Sequence, residues 1–175
     1  LSYDIIYADP PWKYNNEQSG DKTRGAKPYS SMTLEELKEW GETNVIPKAS
    51  DNSFLFLWIT MPKLAWAFEL MPVWGFQYVT CAFTWVKTNP KSGGIYSGMG
   101  YWTNGNAELC LLGKKGKPKR QAKNVKQIVM APRGRHSVKP PEVRDRIVAL
   151  CGDLPRIELF ARERATGWDA QGDEL

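Results

Sequence analysis

Apolar residues gather along this chain in short runs, several too continuous for a half-exposed strand. Tyr3–Ala8 and Ser53–Ile59 are such runs, rich in β-branched and aromatic residues, and read as strands buried on both faces. Other runs predict further strands over Gln77–Lys87, Ala107–Leu112, Gln127–Met130 and Arg156–Phe160. Between them the period lengthens. Thr33 with Glu36 three residues later forms a capping box, opening a short helix through Leu37 and Trp40. A second helix begins near Pro62, stops before Gly75, and puts Leu64, Phe68 and Met71 on one face. Pro140 and Pro141 open a third, whose face carries Val143, Ile147 and Leu150. The stretches 13–27, 88–106 and 113–126 lack periodicity and read as loops; the second holds five glycines. Strands alternating with helices, the strands apolar on both sides, predict an α/β sheet covered on both faces. Without internal repeats or a low-complexity linker, residues 1–175 read as a single domain.

Composition narrows the class. With 42% hydrophobic and 25% charged residues the chain has the balance of an ordinary folded domain. No apolar run nears the roughly 18 residues that a bilayer span needs, and the first residues do not read as a signal peptide. Cys81, Cys110 and Cys151 are odd in number and far apart. That argues against disulfides or a zinc site and for core cysteines in a reducing cytoplasm; no metal is expected. The net charge of +5 is local. Lys114, Lys115, Lys117, Lys119, Arg120, Lys123 and Lys126 form one basic stretch without an acid, and the remaining chain is slightly acidic. Such a patch suits a polyanion, and Lys114, Lys115, Lys117, Lys119 and Arg120 are its candidate contacts.

The sharpest chemical signal is Asp9-Pro10-Pro11-Trp12, directly after the first buried strand. Two prolines cannot stay in a central ladder, so the chain leaves the sheet there. The carboxyl edge of such a sheet is where ligands bind. These residue types suit transfer to an aromatic amine. The lone pair of an adenine amino nitrogen is delocalised into its ring. A carboxylate (Asp9) and a carbonyl (Pro10) that accept its two hydrogens favour a pyramidal nitrogen with an available lone pair. Pro11 restricts Pro10 and so aims that carbonyl. Trp12 offers a flat face for an extruded base. Asp9 need not be a strong base, because the nitrogen sheds its proton readily once it is cationic.

These residues resemble the N6-adenine methyltransferase family that includes the catalytic subunit of the eukaryotic mRNA adenosine methyltransferase, and the chain is closest in character to its compact bacterial and phage members. The likeness includes Pro28-Tyr29-Ser30-Ser31-Met32, Phe54-Leu55-Phe56-Leu57-Trp58, Trp85-Val86-Lys87-Thr88-Asn89, Gly100-Tyr101-Trp102 with Asn104, and Glu108-Leu109-Cys110-Leu111. It continues through His136-Ser137-Val138-Lys139-Pro140 and Glu158-Leu159-Phe160-Ala161-Arg162, in the same order from end to end. The resemblance implies a Rossmann-like S-adenosylmethionine-dependent methyltransferase fold in permuted order, catalytic motif before cofactor motif. It implies Lys139 for the cofactor's carboxylate, Phe160 at the cofactor strand, Arg162 after it for the cofactor ribose, and Asp173 and Glu174 for ribose and adenine. Asp9 borders the same cofactor.

The family places Tyr29 at the substrate gate and Glu108 near the target nucleotide. Arg133, Arg135 and His136 are read as phosphate contacts or as packing beside the cofactor. Arg164 and Ala165 stand where the mRNA enzyme has His and Asn, so no cofactor contact is carried to them. Nucleic acid is the expected partner, DNA in preference to RNA, and a small target-recognition surface favours a homodimer. The rival reading is an inactive nucleic-acid-binding scaffold on the same fold; the intact tetrapeptide and Lys139 weigh against it. A dehydrogenase or phosphoryl transferase is excluded by the lack of Gly-x-Gly-x-x-Gly and of a phosphate-binding loop. With His136 the only histidine, nucleophilic Ser or Cys chemistry has no support.

Overall fold

The computed structural model describes residues 1–13, 31–135 and 138–175. Strands β1 (Tyr3–Ala8), β2 (Ala49–Ile59), β3 (Gln77–Thr88), β4 (Ala107–Lys115), β5 (Ile128–Pro132), β6 (Arg156–Leu159) and β7 (Asp169–Gln171) form one seven-stranded sheet. Its order is β5-β3-β4-β2-β1-β6-β7. β1 pairs in parallel with β2 and β6, β6 with β7, and β3 with β5, whereas β4 runs antiparallel between β2 and β3. The carboxyl ends of β1, β2, β3, β5, β6 and β7 therefore share one edge. β4 begins at that edge.

Alternating side chains of the central strands feed two cores. Ile6, Ala8, Leu55, Leu57 and Ile59 pack with helices α1 (Leu34–Asn44) and α2 (Leu64–Val73). Ile5, Tyr7, Phe54, Phe56 and Trp58 pack with α3 (Glu142–Cys151). This is the α/β sheet covered on both faces. Cys110 and Cys151 are buried, Cys81 is half-buried, and all three are free thiols.

Local chemistry matches the elements. Thr33 accepts from the Glu36 amide and the Glu36 side chain accepts from the Thr33 amide, the expected capping box of α1. Helix α1 lies close to the end of α2 because Gly41 has no side chain: a Cβ there would sit 2.2 Å from Trp74 Nε1. That indole donates to the Leu37 carbonyl at 2.9 Å, inside the core. Gly41→Ala is expected to destabilise by about 1–3 kcal/mol through overpacking, seen as a melting temperature several degrees lower.

Some expectations shift. β2 and β4 begin earlier or end later than their apolar runs, and β4 takes in Lys114 and Lys115. Helix α2 buries Ala67, Leu70 and Met71, while Phe68 lies outside and meets Tyr78 edge-on at 4.9 Å. A three-residue 3-10 turn at Met61–Lys63, holding Pro62, precedes α2 and resets its phase. β7 has no counterpart among the expected strands; its three residues, Asp-Ala-Gln, hold no apolar run.

Candidate active site

β1 delivers Asp9 to the carboxyl edge, with its amide donating to the Leu159 carbonyl of β6 at 3.4 Å. The two prolines then turn the chain outward. Trp12 N donates back to the Pro10 carbonyl at 2.9 Å, and Met32 N donates to the Pro11 carbonyl at 2.7 Å. The direction of the Pro10 carbonyl is thus set by a hydrogen bond as well as by Pro11. Trp12 itself is packed. The residue is only 6% exposed, its Nε1 donates to the Trp58 carbonyl at 3.1 Å, and Trp66 packs beside it. A ring held that way anchors the turn.

Beside Asp9 lies a compact cluster of charge. Lys139 Nζ donates to Glu108 Oε1 at 3.0 Å and lies 3.5 Å from Asp9 Oδ2. Lys87 Nζ meets the other Glu108 oxygen at 2.9 Å. Trp58 and Trp85 wall the Lys139 ammonium, at 5.4 and 6.0 Å from their ring centres. Two acids and two ammoniums so balance. Their protonation behaviour differs. Burial pushes the Asp9 carboxyl up, and Lys139 and Arg162 only partly oppose it, with Glu108 adding to the rise. Burial also pushes Glu108 up, but Lys139 and Lys87 outweigh it, so its pKa lies below the usual value. Lys139 loses by burial and gains more from Asp9 and Glu108, so its pKa is raised. Asp9 is therefore the acid of the cluster whose charge is least welcome in the fold.

Asp9 also opens onto a cavity of about 350 Å³ over the ends of β1, β6 and β7. Pro11, Met32, Trp40, Phe160, Ala161, Arg162, Gln171, Gly172, Asp173 and Glu174 complete its lining. Phe160 takes φ +58°, where β6 ends and the chain turns toward the cavity. Gly172 permits the rim to close, since a Cβ there would fall 2.0 Å from the Ala161 carbonyl oxygen. Behind this wall Arg144 of α3 grips Glu158 of β6 through two bonds of 2.7 and 3.1 Å, tying helix to strand.

Asp9, Phe160, Arg162, Asp173 and Glu174 are thus brought to one cavity, with Lys139 and Glu108 on its Asp9 side. Arg133 stands apart, donating to the Tyr96 hydroxyl at 2.7 Å just beyond β5 and β3, and Arg135 is exposed nearby in sequence. Tyr29 and His136 lie outside the described residues. The basic stretch is not at this edge. Lys114 and Lys115 pair with Phe54 and Ser53 near the start of β2's apolar run, while Cys110 is level with Trp58. Four residues of strand put Lys114 roughly 13 Å from the Asp9 level, toward the opposite edge. Beyond it, Lys117 N is held by Asn52, and Gln121 N by the Leu150 carbonyl at the end of α3. Lys119 and Arg120 lie on this same far side, so the five cations stand away from Asp9. Sequence reasoning does not single out Lys87, although it sits within Trp85-Val86-Lys87, nor Trp40 and Gln171.

The chain also resembles known proteins. The family model described as MT-A70 matches residues 3–174. The chain is 37% identical over 191 residues to the Type II methyltransferase M.MunI of Mycoplasma sp, covering 99% of this chain and 78% of that protein. It is 31% identical over 175 residues to the human N(6)-adenosine-methyltransferase catalytic subunit METTL3, covering 98% of this chain but only 28% of that protein. The Arabidopsis thaliana N(6)-adenosine-methyltransferase MT-A70-like protein is 29% identical over 177 residues, with 99% and 24% covered.

Proposed function

The chain belongs to the MT-A70 family, and from that premise we propose that it transfers a methyl group from S-adenosylmethionine to the exocyclic amino nitrogen of adenine in a nucleic acid. The observation that carries this is the placement of Asp9, whose carboxylate ends a buried strand between a cation-balanced cluster and an acid-rimmed cavity.

The cavity fits the cofactor. Its volume is in the range of small-molecule sites. Asp173 and Glu174 suit ribose hydroxyls, which donate to carboxylates, Arg162 on the same lining also suits the ribose, and Lys139 suits the methionine carboxylate. S-adenosylmethionine, when bound, supplies a methyl group on a positively charged sulfur. The chain's own groups prepare the acceptor. Asp9 accepts one amino hydrogen and the Pro10 carbonyl accepts the other, turning the nitrogen lone pair toward the methyl donor. Lys139 keeps Asp9 oriented and balances its charge. Once the methyl group has been transferred, the nitrogen is cationic and its extra proton passes to Asp9 or to water. Water is kept from Lys139 by the flanking indoles of Trp58 and Trp85.

DNA is the preferred polymer in this proposal, because the chain matches nearly four-fifths of a type II methyltransferase but little more than a quarter of METTL3. Transfer of label from methyl-labelled S-adenosylmethionine to mixed DNA and RNA oligonucleotides tests both parts. Label in DNA above RNA supports the proposal; binding of both ligands with no transfer supports the scaffold. The far-side lysines suit phosphates distant from the target. Replacing Lys114, Lys117 and Lys119 with serine is expected to weaken binding to long duplexes. It should also flatten the log–log salt dependence by about 0.9 for each phosphate that is no longer neutralised. Anisotropy titrations across salt concentrations check this, and an unchanged slope removes the patch from the interface.

A further inference from the structure

One polar feature of the cavity is not used by the transfer step. Gln171, the last residue of β7, lines it beside Trp40 and Phe160. Its amide is held from two sides. Lys48 Nζ donates to Gln171 Oε1, and Gln171 Nε2 donates to Asn44 Oδ1 at 2.7 Å. An ammonium has only hydrogens to offer, so the atom facing Lys48 is the oxygen, and the amide cannot be flipped. Each amide atom keeps further capacity: a second N–H on Nε2 and a second lone pair on Oε1.

Two neighbouring features point the same way. Trp40 and Phe160 have ring centres 4.3 Å apart and together present an aromatic wall. Asp173 and Glu174 follow Gln171 by two and three residues on the same rim. A donor and an acceptor side by side, next to an aromatic wall and two carboxylates, complement adenosine. The amide matches the amino group and adjacent ring nitrogen of adenine, as glutamine does when it reads that base in nucleic acids. The rings cover the base face, and the acids take the ribose.

We infer that Gln171 reads the adenine edge of the nucleoside bound in this cavity, with Lys48 and Asn44 as positioning residues that fix its amide. The inference rests on the cofactor reading above. It makes the site selective for adenine over a base with the opposite hydrogen-bonding pattern.

The test is calorimetric binding of S-adenosylhomocysteine and of its 6-oxo analogue S-inosylhomocysteine, which presents oxygen at C6 and a hydrogen on N1. The wild-type chain is expected to prefer the adenine ligand by about tenfold or more. Gln171→Met keeps the side-chain length and its packing but should bind the two ligands within about threefold of each other. Lys48→Met leaves Gln171 in place yet frees its amide, and should also narrow the preference. An unchanged preference in Gln171→Met, even with a lower melting temperature, overturns the inference and leaves the network a structural tie between α1 and β7. No preference in the wild type overturns it equally. Failure of the wild type to bind either ligand overturns the cofactor reading itself, and this inference with it.

Discussion

Asp9→Asn is expected to lower methyl transfer by at least about a thousandfold while leaving the fold intact and, at neutral pH, no less stable. The activity loss follows from losing one of two acceptors that hold the target amine. Asparagine turns an acceptor oxygen into a donor, so one amino hydrogen faces another. The stability outcome follows from burial. Because the Asp9 pKa is raised in the fold, the folded chain binds the proton more tightly than the unfolded chain does. Native stability therefore falls as pH rises from the ordinary aspartate value through the raised one, and Asp9 is a liability above it. The neutral amide removes that cost while Lys139 keeps Glu108. A melting curve at pH 7 that matches or exceeds the wild type, with activity gone, is the expected pair of readings. A collapse of stability would assign Asp9 a structural role instead.

Lys139→Met should produce the largest loss of stability. It leaves Asp9 and Glu108 buried with Lys87 as the remaining ammonium, and Lys87 holds the Glu108 oxygen that Lys139 does not. Breaking a buried pair by removing one partner typically costs about 3–5 kcal/mol. For a chain of this length that is a fall of roughly 10 °C in melting temperature. The pH dependence has a definite sign. In the wild type, Glu108 has a depressed pKa, so its contribution is present above the ordinary glutamate value and is lost as pH falls through the depressed one. In Lys139→Met both carboxyls lose their main cation and their pKa values rise. The variant should then gain stability relative to wild type as pH is lowered from about 7 toward about 5. Melting curves at both pH values check this. A deficit that does not shrink on acidification contradicts the charge cluster as described. Cofactor affinity should fall as well, because the same ammonium serves the methionine carboxylate in the proposed site.

Much of this arrangement is legible in the residues. Tyr3–Ala8 followed by Asp-Pro-Pro has one reading, a buried strand that must leave the sheet, and Thr33 with Glu36 fixes the start of α1. The elements that escape lack local signals. Asp169–Gln171 forms a strand only because β6 offers its edge, so nothing in those three residues announces it. Gln171 is invisible for the same reason. Trp12 gives no local sign of its anchoring bond, because the Trp58 carbonyl that accepts it is 46 residues away. The place of the lysine run is hidden for a topological reason. Reading along the chain cannot show that β4 runs against its neighbours and carries Lys114 and Lys115 away from Asp9. Lys87 sits in a recognisable motif, yet its role depends on Glu108 lying diagonally across the β3–β4 pair, at 2.9 Å.

The most direct measurement uses S-adenosylmethionine with a deuterated methyl group, the wild-type chain and Asp9→Asn, and mass spectrometry of nucleosides from the treated DNA. The account predicts deuterated methyl on the adenine amino nitrogen with the wild type and next to none with Asp9→Asn. Label on cytosine, on a ring nitrogen of adenine, or in equal amount from the two proteins would contradict it.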